Sequence, residues 1–451
     1  MTPLRRIAFI GNSLPRRCGI ATFTTDLQQA ISTSRPDLET SIVAMTDHGQ
    51  AYDYPSAVVL QINDDNIDEY SRAADFLNAG RFDVVCLQHE FGIFGGEAGA
   101  HILRLLSRLT KPVVTTLHTV LSKPTAAQRV VLERIVDESS KVIVMAKKAR
   151  ELLRSAYQVQ DDKIEVIPHG IPDVALVAPD AAKAKLGFSG RSVILTFGLL
   201  SPNKGIEIMI DAMPSILKRR PDAVYVVLGA THPNLVRDQG EAYRESLIAR
   251  VRELGVEDHV LFLNQFVDQA TLLEFISMCD VYVTPYLNEA QMTSGTLAYS
   301  FGLGKPVVST PYWHANELLA DGRGVLVPFG DAAAIVGADK QAARTLENMA
   351  EPLAGQPHRR RIDQRLDFID VVADDAEEQR LIAVVQSIER HVFFQIVRQA
   401  AQIGHHTLGL RFHRKHVGGQ KAAQAQRIAL LLGKSCAFVE KRIAQQRNAA
   451  R

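Results

Sequence analysis

The chain has 451 residues, of which 46% are hydrophobic and 22% charged, with a formal net charge of +1. Its length predicts two or three domains with cores of their own, and the nearly balanced charge argues against a nucleic-acid partner. The longest apolar runs, such as Val193–Phe197 and Val224–Leu228, are far shorter than the roughly 20 residues that span a bilayer. The four cysteines form no CxxC pair, which excludes a zinc ribbon and a disulfide scaffold. We expect a cytoplasmic protein without a secretory leader.

Residues 1–172 alternate short β-rich runs with helical patterns, as is typical of a parallel sheet covered by helices. The predicted strands are Arg6–Ile10, Ser41–Met45, Phe82–Leu87, Pro112–Leu117, Lys141–Ala146 and Lys163–Ile167. The predicted helices are Thr22–Ile31, Ile67–Asn78, Glu97–Leu109, Ala126–Val136 and Lys147–Ala156. The pattern indicates one doubly wound, Rossmann-like domain.

The cluster Pro168–Asp173 interrupts this pattern, and we interpret it as a hinge before a second domain over residues 173–330. The predicted strands of that domain are Val193–Phe197, Val224–Leu228, Val260–Leu263, Val281–Thr284, Pro306–Ser309 and Val325–Val327. Its predicted helices are Gly205–Lys218, Tyr243–Leu254, Thr271–Met278, Gly295–Gly302 and Ala315–Leu319. The fold class is therefore α/β, with two tandem Rossmann-like domains of doubly wound parallel sheet and a ligand cleft between them.

Residues 331–451 differ in composition, with 19 Lys and Arg against 13 Asp and Glu. Helical patterns occupy Gln379–Gln402 and Lys421–Leu432, and ten basic residues fall between Arg411 and Arg451. We interpret the segment as an atypical, basic helical appendage. The alternative is peripheral contact with anionic lipid headgroups at the inner face of a membrane.

In each domain, one glycine-containing loop follows the first predicted strand. The carboxyl ends of such strands are where open α/β sheets bind ligands. Gly19 precedes a helix whose free N–H groups suit an anion, although an ordinary turn would look the same. No GxGxxG is present there, which argues against a nicotinamide cofactor. Gly198 and Lys204 lie in the second loop, where a lysine beside helix N–H groups suits a diphosphate. A surface lysine is the alternative.

A third loop, residues 288–297, leads into another predicted helix. Ser294, Gly295 and Thr296 offer hydroxyls and backbone donors, while Glu289 and Gln291 can bond sugar hydroxyls. Helix capping alone would account for Ser294.

His118 ends a predicted strand, a position compatible with either a structural or a catalytic role. The sequence contains no GxSxG elbow and no acidic pair typical of glycoside hydrolases. No cluster of metal ligands is evident, and we expect neither a metal nor a separate cofactor.

In combination, these motifs resemble the retaining GT-B-fold glycosyltransferases of family 4, in particular their mannosyltransferase-like branch. The matching segments are 17–23, 88–96, 117–118, 166–170, 197–205, 291–308 and 317–330. The resemblance covers about residues 1–330. It implies a nucleoside-diphosphate-sugar donor, GDP-mannose being favoured, in the second domain and a glycan or lipid-linked acceptor in the first.

The resemblance also assigns roles to individual residues. It implies that His118 contacts the transferred sugar, that Lys204 neutralises the diphosphate and that Glu289 belongs to the catalytic loop. The implied donor-binding residues are Gly19, Gly198, Phe266, Val267, Gln291, Ser294, Gly295 and Thr296, with the backbone at Phe266 and Val267 facing the base.

The chain departs from the family's pattern at three positions. Leu199 stands where an arginine is common, and Gln291 and Tyr299 stand where the family has a pair of glutamates. The second glutamate normally holds the ribose, so Tyr299 removes that partner. The appendage beyond Gly330 is a further departure, which a replaced or frame-shifted C-terminus would explain.

The absence of an evident nucleophile suits a front-face mechanism, in which a donor phosphate oxygen takes the acceptor proton. Two alternatives remain open at this point. A nucleotide-sugar 2-epimerase of the same architecture would convert the donor without an acceptor, and a non-catalytic binding protein would bind the nucleotide without turnover.

Overall fold

The computed structural model describes residues 4–172, 174 and 178–338, which form two parallel-sheet α/β domains. The predicted fold class is therefore confirmed. The predicted helices Gln379–Gln402 and Lys421–Leu432, like the rest of the appendage from residue 339 onward, lie outside the described residues.

The described part of the first domain contains a sheet of seven parallel strands. They are β1 (Arg6–Gly11), β2 (Glu39–Thr46), β3 (Val58–Asn63), β4 (Val84–His89), β5 (Val113–Leu117), β6 (Lys141–Val144) and β7 (Ile164–Val166). The helices are α1 (Gly19–Ser34), α2 (Ile67–Ala79), α3 (Ile102–Leu106), α4 (Ala126–Glu138) and α5 (Lys147–Ala156). Every residue of β4 is buried because helices cover both faces of the sheet, which explains its continuous apolar run.

The described part of the second domain contains six parallel strands. They are β8 (Ser192–Phe197), β9 (Ala223–Leu228), β10 (Val260–Leu263), β11 (Val281–Thr284), β12 (Val307–Ser309) and β13 (Val325–Leu326). The helices are α6 (Pro179–Leu186), α7 (Ile206–Leu217), α8 (Pro233–Gln239), α9 (Ala242–Glu253), α10 (Gln269–Met278), α11 (Gly295–Gly302) and α12 (Trp313–Leu318). Residues 332–338 are also helical, and Ile335 and Val336 are buried in the same core as β9.

The strand order places a topological switch in each sheet. The first sheet runs β3-β2-β1-β4-β5-β6-β7 and the second β10-β9-β8-β11-β12-β13. The connections therefore diverge between β1 and β4 and between β8 and β11. Crevices at the carboxyl ends of such strands are where open α/β sheets bind ligands.

Local structure differs from the sequence expectation at four elements, of which α6 and α8 are short helices that were not predicted. β3 was not predicted, although Val58–Leu60 form a short apolar run; its residues are alternately exposed at the edge of the sheet. The predicted helix Glu97–Leu109 is wrong in its first half, which is a short 3₁₀ turn. The backbone φ is +54° at Ala98 and +78° at Gly99, a left-handed conformation that interrupts an α-helix.

The two domains meet at α5 and α12. Both carboxylate oxygens of Glu317 accept from the Lys147 backbone N–H, at 3.0 and 2.8 Å, and one also accepts from Lys148 at 3.4 Å. A carboxylate of the second domain thus caps the N-terminus of a first-domain helix, where the helix dipole favours negative charge.

Candidate functional site

A cavity of about 670 Å³ lies between the two domains. Its walls are α1, residues 167–172 and the loops that follow β8, β10 and β11. Small-molecule sites usually have volumes of about 300–1,000 Å³. The cavity is therefore the candidate functional site.

The loop after β8 carries Lys204 to the cavity wall. Its position depends on Gly205, where φ is +61° and a Cβ would lie 2.1 Å from the Pro285 carbonyl oxygen. Only glycine lets the loop pack so closely against the segment after β11. The Lys204 Nζ consequently lies 3.9 Å from the centroid of the Tyr286 ring, in a cation–π contact.

Tyr286 links this lysine to the start of α11, since its hydroxyl lies 3.0 Å from Thr296 Oγ1. Burial acts to raise the pKa of the Tyr286 phenol, but the charge of Lys204 and hydrogen bonds with Thr296 and Ser294 outweigh it and lower the pKa to about 8. Lys204 and the N-terminus of α11 thus both contact one tyrosine.

The first turn of α11 is fixed by Ser294. The Ser294 Oγ accepts from the Leu297 N–H at 3.3 Å, and the Ser294 N–H donates to His314 Nδ1 at 2.9 Å. Burial lowers the pKa of His314 to about 3, so the ring is neutral and can accept this bond. The N–H groups of Gly295 and Thr296 lack intrahelical acceptors, as in the first turn of any helix, and are available to an anion.

The opposite wall is one face of α1. Gly19, Thr22, Phe23 and Asp26 line the cavity at helical spacing. Gly19 begins the helix, and Cys18 caps it through an Ala21 N–H to Sγ contact of 3.3 Å.

The Asp26 carboxylate is held from the other domain. Its Oδ2 accepts from the Tyr299 hydroxyl at 2.7 Å and from Gln269 Nε2 at 3.1 Å. Burial raises the pKa of Asp26, while both hydrogen bonds act to lower it. Tyr299, at which the sequence departs from the pattern it resembles, therefore contacts a carboxylate of the first domain.

His118 lies behind this wall rather than on it. The residue is 9% exposed, it is absent from the cavity lining, and its Nε2 lies 3.1 Å from Gln88 Oε1. Burial, reinforced by neighbouring His169 and His89, lowers the pKa of His118 to about 3, so the imidazole is neutral. The His118 ring also packs edge-on against Phe23, with centroids 4.7 Å apart.

The buried polar groups beside His118 are incompletely paired. In the described part of the chain, Gln88 Nε2, both ring nitrogens of His89 and Thr116 Oγ1 have no hydrogen-bond partner. His89 lies instead between Phe91 and Phe94, at ring-centroid distances of 4.9 and 5.9 Å. Burial lowers the pKa of His89 to about 3.

The structure brings most of the sequence-predicted site residues to the cavity. Those that line it are Gly19, Gly198, Lys204, Phe266, Gln291, Ser294, Gly295 and Thr296. Those that do not are His118, Val267, which packs against the core, and Glu289, which is exposed. The roles assigned to all of them stay predictions.

Sequence reasoning missed Asp26, Gln269 and His232, which also line the cavity. One signal for Asp26 was present, because it is the only charged residue within α1 and lies seven positions after Gly19 on the same helical face. Gln269 and His232 carried no comparable signal.

Two family models match the chain, one over each domain. The model described as Glycosyltransferase Family 4 matches residues 17–174, and the model described as Glycosyl transferases group 1 matches residues 191–344. The chain thus carries two glycosyltransferase domains.

Curated relatives are similar over both domains. A D-inositol 3-phosphate glycosyltransferase of Jonesia denitrificans is 25% identical over 280 residues, which is 55% of this chain and 60% of the relative. A GDP-mannose-dependent alpha-(1-6)-phosphatidylinositol monomannoside mannosyltransferase of Mycolicibacterium smegmatis is 28% identical over 224 residues, or 47% and 54% of the two chains. The chain therefore spans less than two thirds of the length of these relatives.

A solved structure has the same fold. Anabaena HepE, crystallised in complex with UDP and glucose, matches with a TM-score of 0.56 and 16% identity, covering 87% of this chain and all of HepE. At this identity the likeness concerns the fold alone.

Two further observations concern only the described residues. No group of three or more His, Cys, Asp or Glu side chains there is placed to hold a metal ion. None of the helices described is both long enough and apolar enough to cross a bilayer.

Proposed function

Because the chain carries a family 4 and a group 1 glycosyltransferase domain, we propose that it transfers mannose from GDP-mannose to a hydroxyl of a glycan or lipid-linked acceptor, with retention of configuration. The second domain holds the donor, and the first domain holds the acceptor. The mannosyl and GDP assignments are supported by the similarity to the GDP-mannose-dependent mannosyltransferase of Mycolicibacterium smegmatis.

One observation carries the proposal, namely the convergence of Lys204 and the N-terminus of α11 on Tyr286. Distances of 3.9 Å from Lys204 Nζ to the ring centroid and 3.0 Å from the hydroxyl to Thr296 Oγ1 bring an ammonium and free backbone N–H groups to one region of the cavity. A diphosphate needs both a point charge and several directed donors. Lys204 supplies the point charge, and the first turn of α11 supplies the directed N–H donors.

The reaction uses this arrangement at the leaving group. The acceptor oxygen bonds to the anomeric carbon while the bond from that carbon to the diphosphate breaks, and a donor phosphate oxygen takes the acceptor proton. Negative charge grows on the departing diphosphate, so Lys204 and the Gly295 and Thr296 N–H groups stabilise the transition state more than the ground state.

The first domain places neutral groups behind the proposed sugar and acceptor side. His118 and His89 are uncharged at neutral pH because burial lowers the pKa of each to about 3. Neither ring lines the cavity, so both imidazoles lie behind the proposed acceptor side rather than at it.

Thermal-shift binding of the purified full chain to GDP, UDP, ADP and their sugar conjugates tests the proposal. A ligand at about 100 times its Kd stabilises the folded state by roughly 2.7 kcal/mol. We expect a selective shift with GDP and GDP-mannose. A shift with UDP alone would overturn the base and sugar assignment, and no shift with any nucleotide would overturn the donor site.

Product analysis by NMR then distinguishes the alternatives. A transferase releases GDP and a new glycoside only when an acceptor is present. Conversion of the donor to its 2-epimer without an acceptor would indicate the epimerase, and binding without turnover on any glycan or lipid-linked acceptor would indicate a binding protein.

A further inference from the structure

Asp26 combines features that a purely structural carboxylate does not need. It lies on the cavity wall, in the first domain, yet its two hydrogen-bond partners, Tyr299 and Gln269, belong to the second domain. Both bonds fall on Oδ2, and no described residue donates to Oδ1. A carboxylate can accept about four hydrogen bonds, so half of this capacity is unused at the cavity.

The donor direction of the Tyr299 contact is well defined. Burial raises the pKa of the Tyr299 phenol, and the nearby charge of Asp26 raises it further, so the phenol keeps its proton. The O–H therefore donates to Oδ2 and orients the carboxylate. Tyr299 is itself fixed by its place in α11 and is only 7% exposed.

The spacing along α11 relates Asp26 to the proposed diphosphate site. Tyr299 follows Gly295 and Thr296 by one helical turn, a rise of about 5 Å. An anion at the start of the helix and a carboxylate one turn further on repel each other when nothing lies between them. This repulsion is relieved when a group that is joined to the diphosphate lies between the two charges and donates a hydrogen bond to the carboxylate.

Sugar hydroxyls have that chemistry, and a nucleotide sugar carries them on both sides of its diphosphate. We propose that Asp26 accepts a hydrogen bond from a hydroxyl of the donor, either on the ribose or on the transferred sugar, and that Tyr299 and Gln269 position the carboxylate for it. This proposal rests on the proposed function. It makes Asp26 a specificity-determining residue that the first domain contributes to the donor site.

Binding measurements with analogues that lack one hydroxyl test the proposal. The ribose arm compares GDP with 2′-deoxy-GDP and 3′-deoxy-GDP, and the sugar arm compares GDP-mannose with GDP-deoxymannoses. A hydrogen bond to a charged group predicts that the wild type binds one analogue about 10–100-fold more weakly. The arm in which the penalty appears identifies the source of the hydroxyl.

Variants separate recognition from a structural role. In Asp26→Ala we expect the loss of affinity on removing the hydroxyl to shrink to less than about 3-fold. The variant cannot form this bond with either the parent ligand or its deoxy analogue. An interdomain strut would instead weaken both ligands equally and leave their ratio unchanged. Asp137→Ala, an exposed carboxylate at the end of α4, is the matched control and should keep the wild-type ratio.

Tyr299→Phe keeps the ring and removes only the donor, so it serves even if Asp26→Ala fails to fold. We expect it to reduce the penalty partially. A wild type that discriminates in neither arm, or an unchanged ratio in both variants, would overturn the proposal. Failure of the wild type to bind any nucleotide would instead contradict the proposed function itself.

Discussion

The second-domain wall of the cavity and the first-domain structure facing it differ in how their polar groups are satisfied. Lys204 lies over Tyr286, and Ser294 is bonded through both its hydroxyl and its N–H. Behind the first-domain wall, within the residues described, both nitrogens of His89 and Gln88 Nε2 lack partners. Each buried polar group without a partner destabilises the folded state by about 1–3 kcal/mol. We infer that the second-domain wall is preformed for an anion, whereas the buried groups behind the first-domain wall are left unpaired.

Acidification should have the largest effect, which is a loss of folding stability caused by the buried neutral histidines. Burial holds the pKa of His89, His118 and His314 near 3, against about 6.5 when unfolded. The unfolded chain therefore takes up protons that the folded chain does not, and stability present above pH 6.5 is lost as the pH falls towards 3. Between pH 7 and 5 the expected loss is about 2 kcal/mol per histidine.

Urea unfolding at pH 7 and 5, followed by circular dichroism, measures this loss. Two of the three histidines belong to the first domain, so its transition should move to lower urea further than that of the second. Unfolding midpoints that are independent of pH would contradict the assigned neutral rings.

Lys204→Ala tests the second-domain wall directly. Removing the ammonium leaves the developing diphosphate charge to the α11 N–H groups, and a loss of this kind is expected to lower kcat about 10²–10³-fold. Donor affinity should fall much less, since the charge is greatest in the transition state.

The measurement is steady-state transfer with GDP-mannose together with direct donor binding. Lys218→Ala removes an exposed lysine at the end of α7 and should change neither. Unchanged turnover in Lys204→Ala would remove the lysine from the mechanism.

His89→Phe tests the first domain. Phenylalanine keeps the packing between Phe91 and Phe94 and removes two unpaired nitrogens, so stability at pH 7 should rise by about 1–2 kcal/mol. The drop between pH 7 and 5 should shrink by about 2 kcal/mol, because one neutral histidine is gone.

His89 does not line the cavity, so the same variant should leave acceptor kinetics and GDP binding unchanged. Urea titrations at the two pH values and acceptor kinetics give the answer. Destabilisation at pH 7 would mean that His89 has a partner in solution.

The sequence predicts the fold well because both sheets are buried on both faces. Continuous apolar runs such as those of β4 and β9 locate strands without tertiary information. α6 escaped prediction, since a short Ala- and Lys-containing helix has no such run, and β3, at the sheet edge, was missed although it contains the apolar run Val58–Leu60.

The same reasoning reaches only part of the site. Lys204 and Ser294 follow buried strands, so their place at the cavity could be predicted from strand ends alone. The contact of Tyr299 with Asp26 joins residues 273 positions apart and depends on how two domains meet. Glu289 and His118 also follow strands, yet neither lines the cavity, because loop direction and packing decide which way a side chain points.

The contact between Glu317 and the start of α5, which joins the two domains, gives the smallest predicted effect. Glu317→Ala removes the carboxylate that caps α5 from the second domain, and the loss of such a cap costs about 1 kcal/mol. If the donor site needs both domains, as the Asp26 contact implies, GDP-mannose should bind a few-fold more weakly although Glu317 lies outside the cavity. Glu317→Gln retains one acceptor and should restore part of the affinity. Full donor affinity in a destabilised Glu317→Ala protein would show instead that the second domain binds the donor without the first.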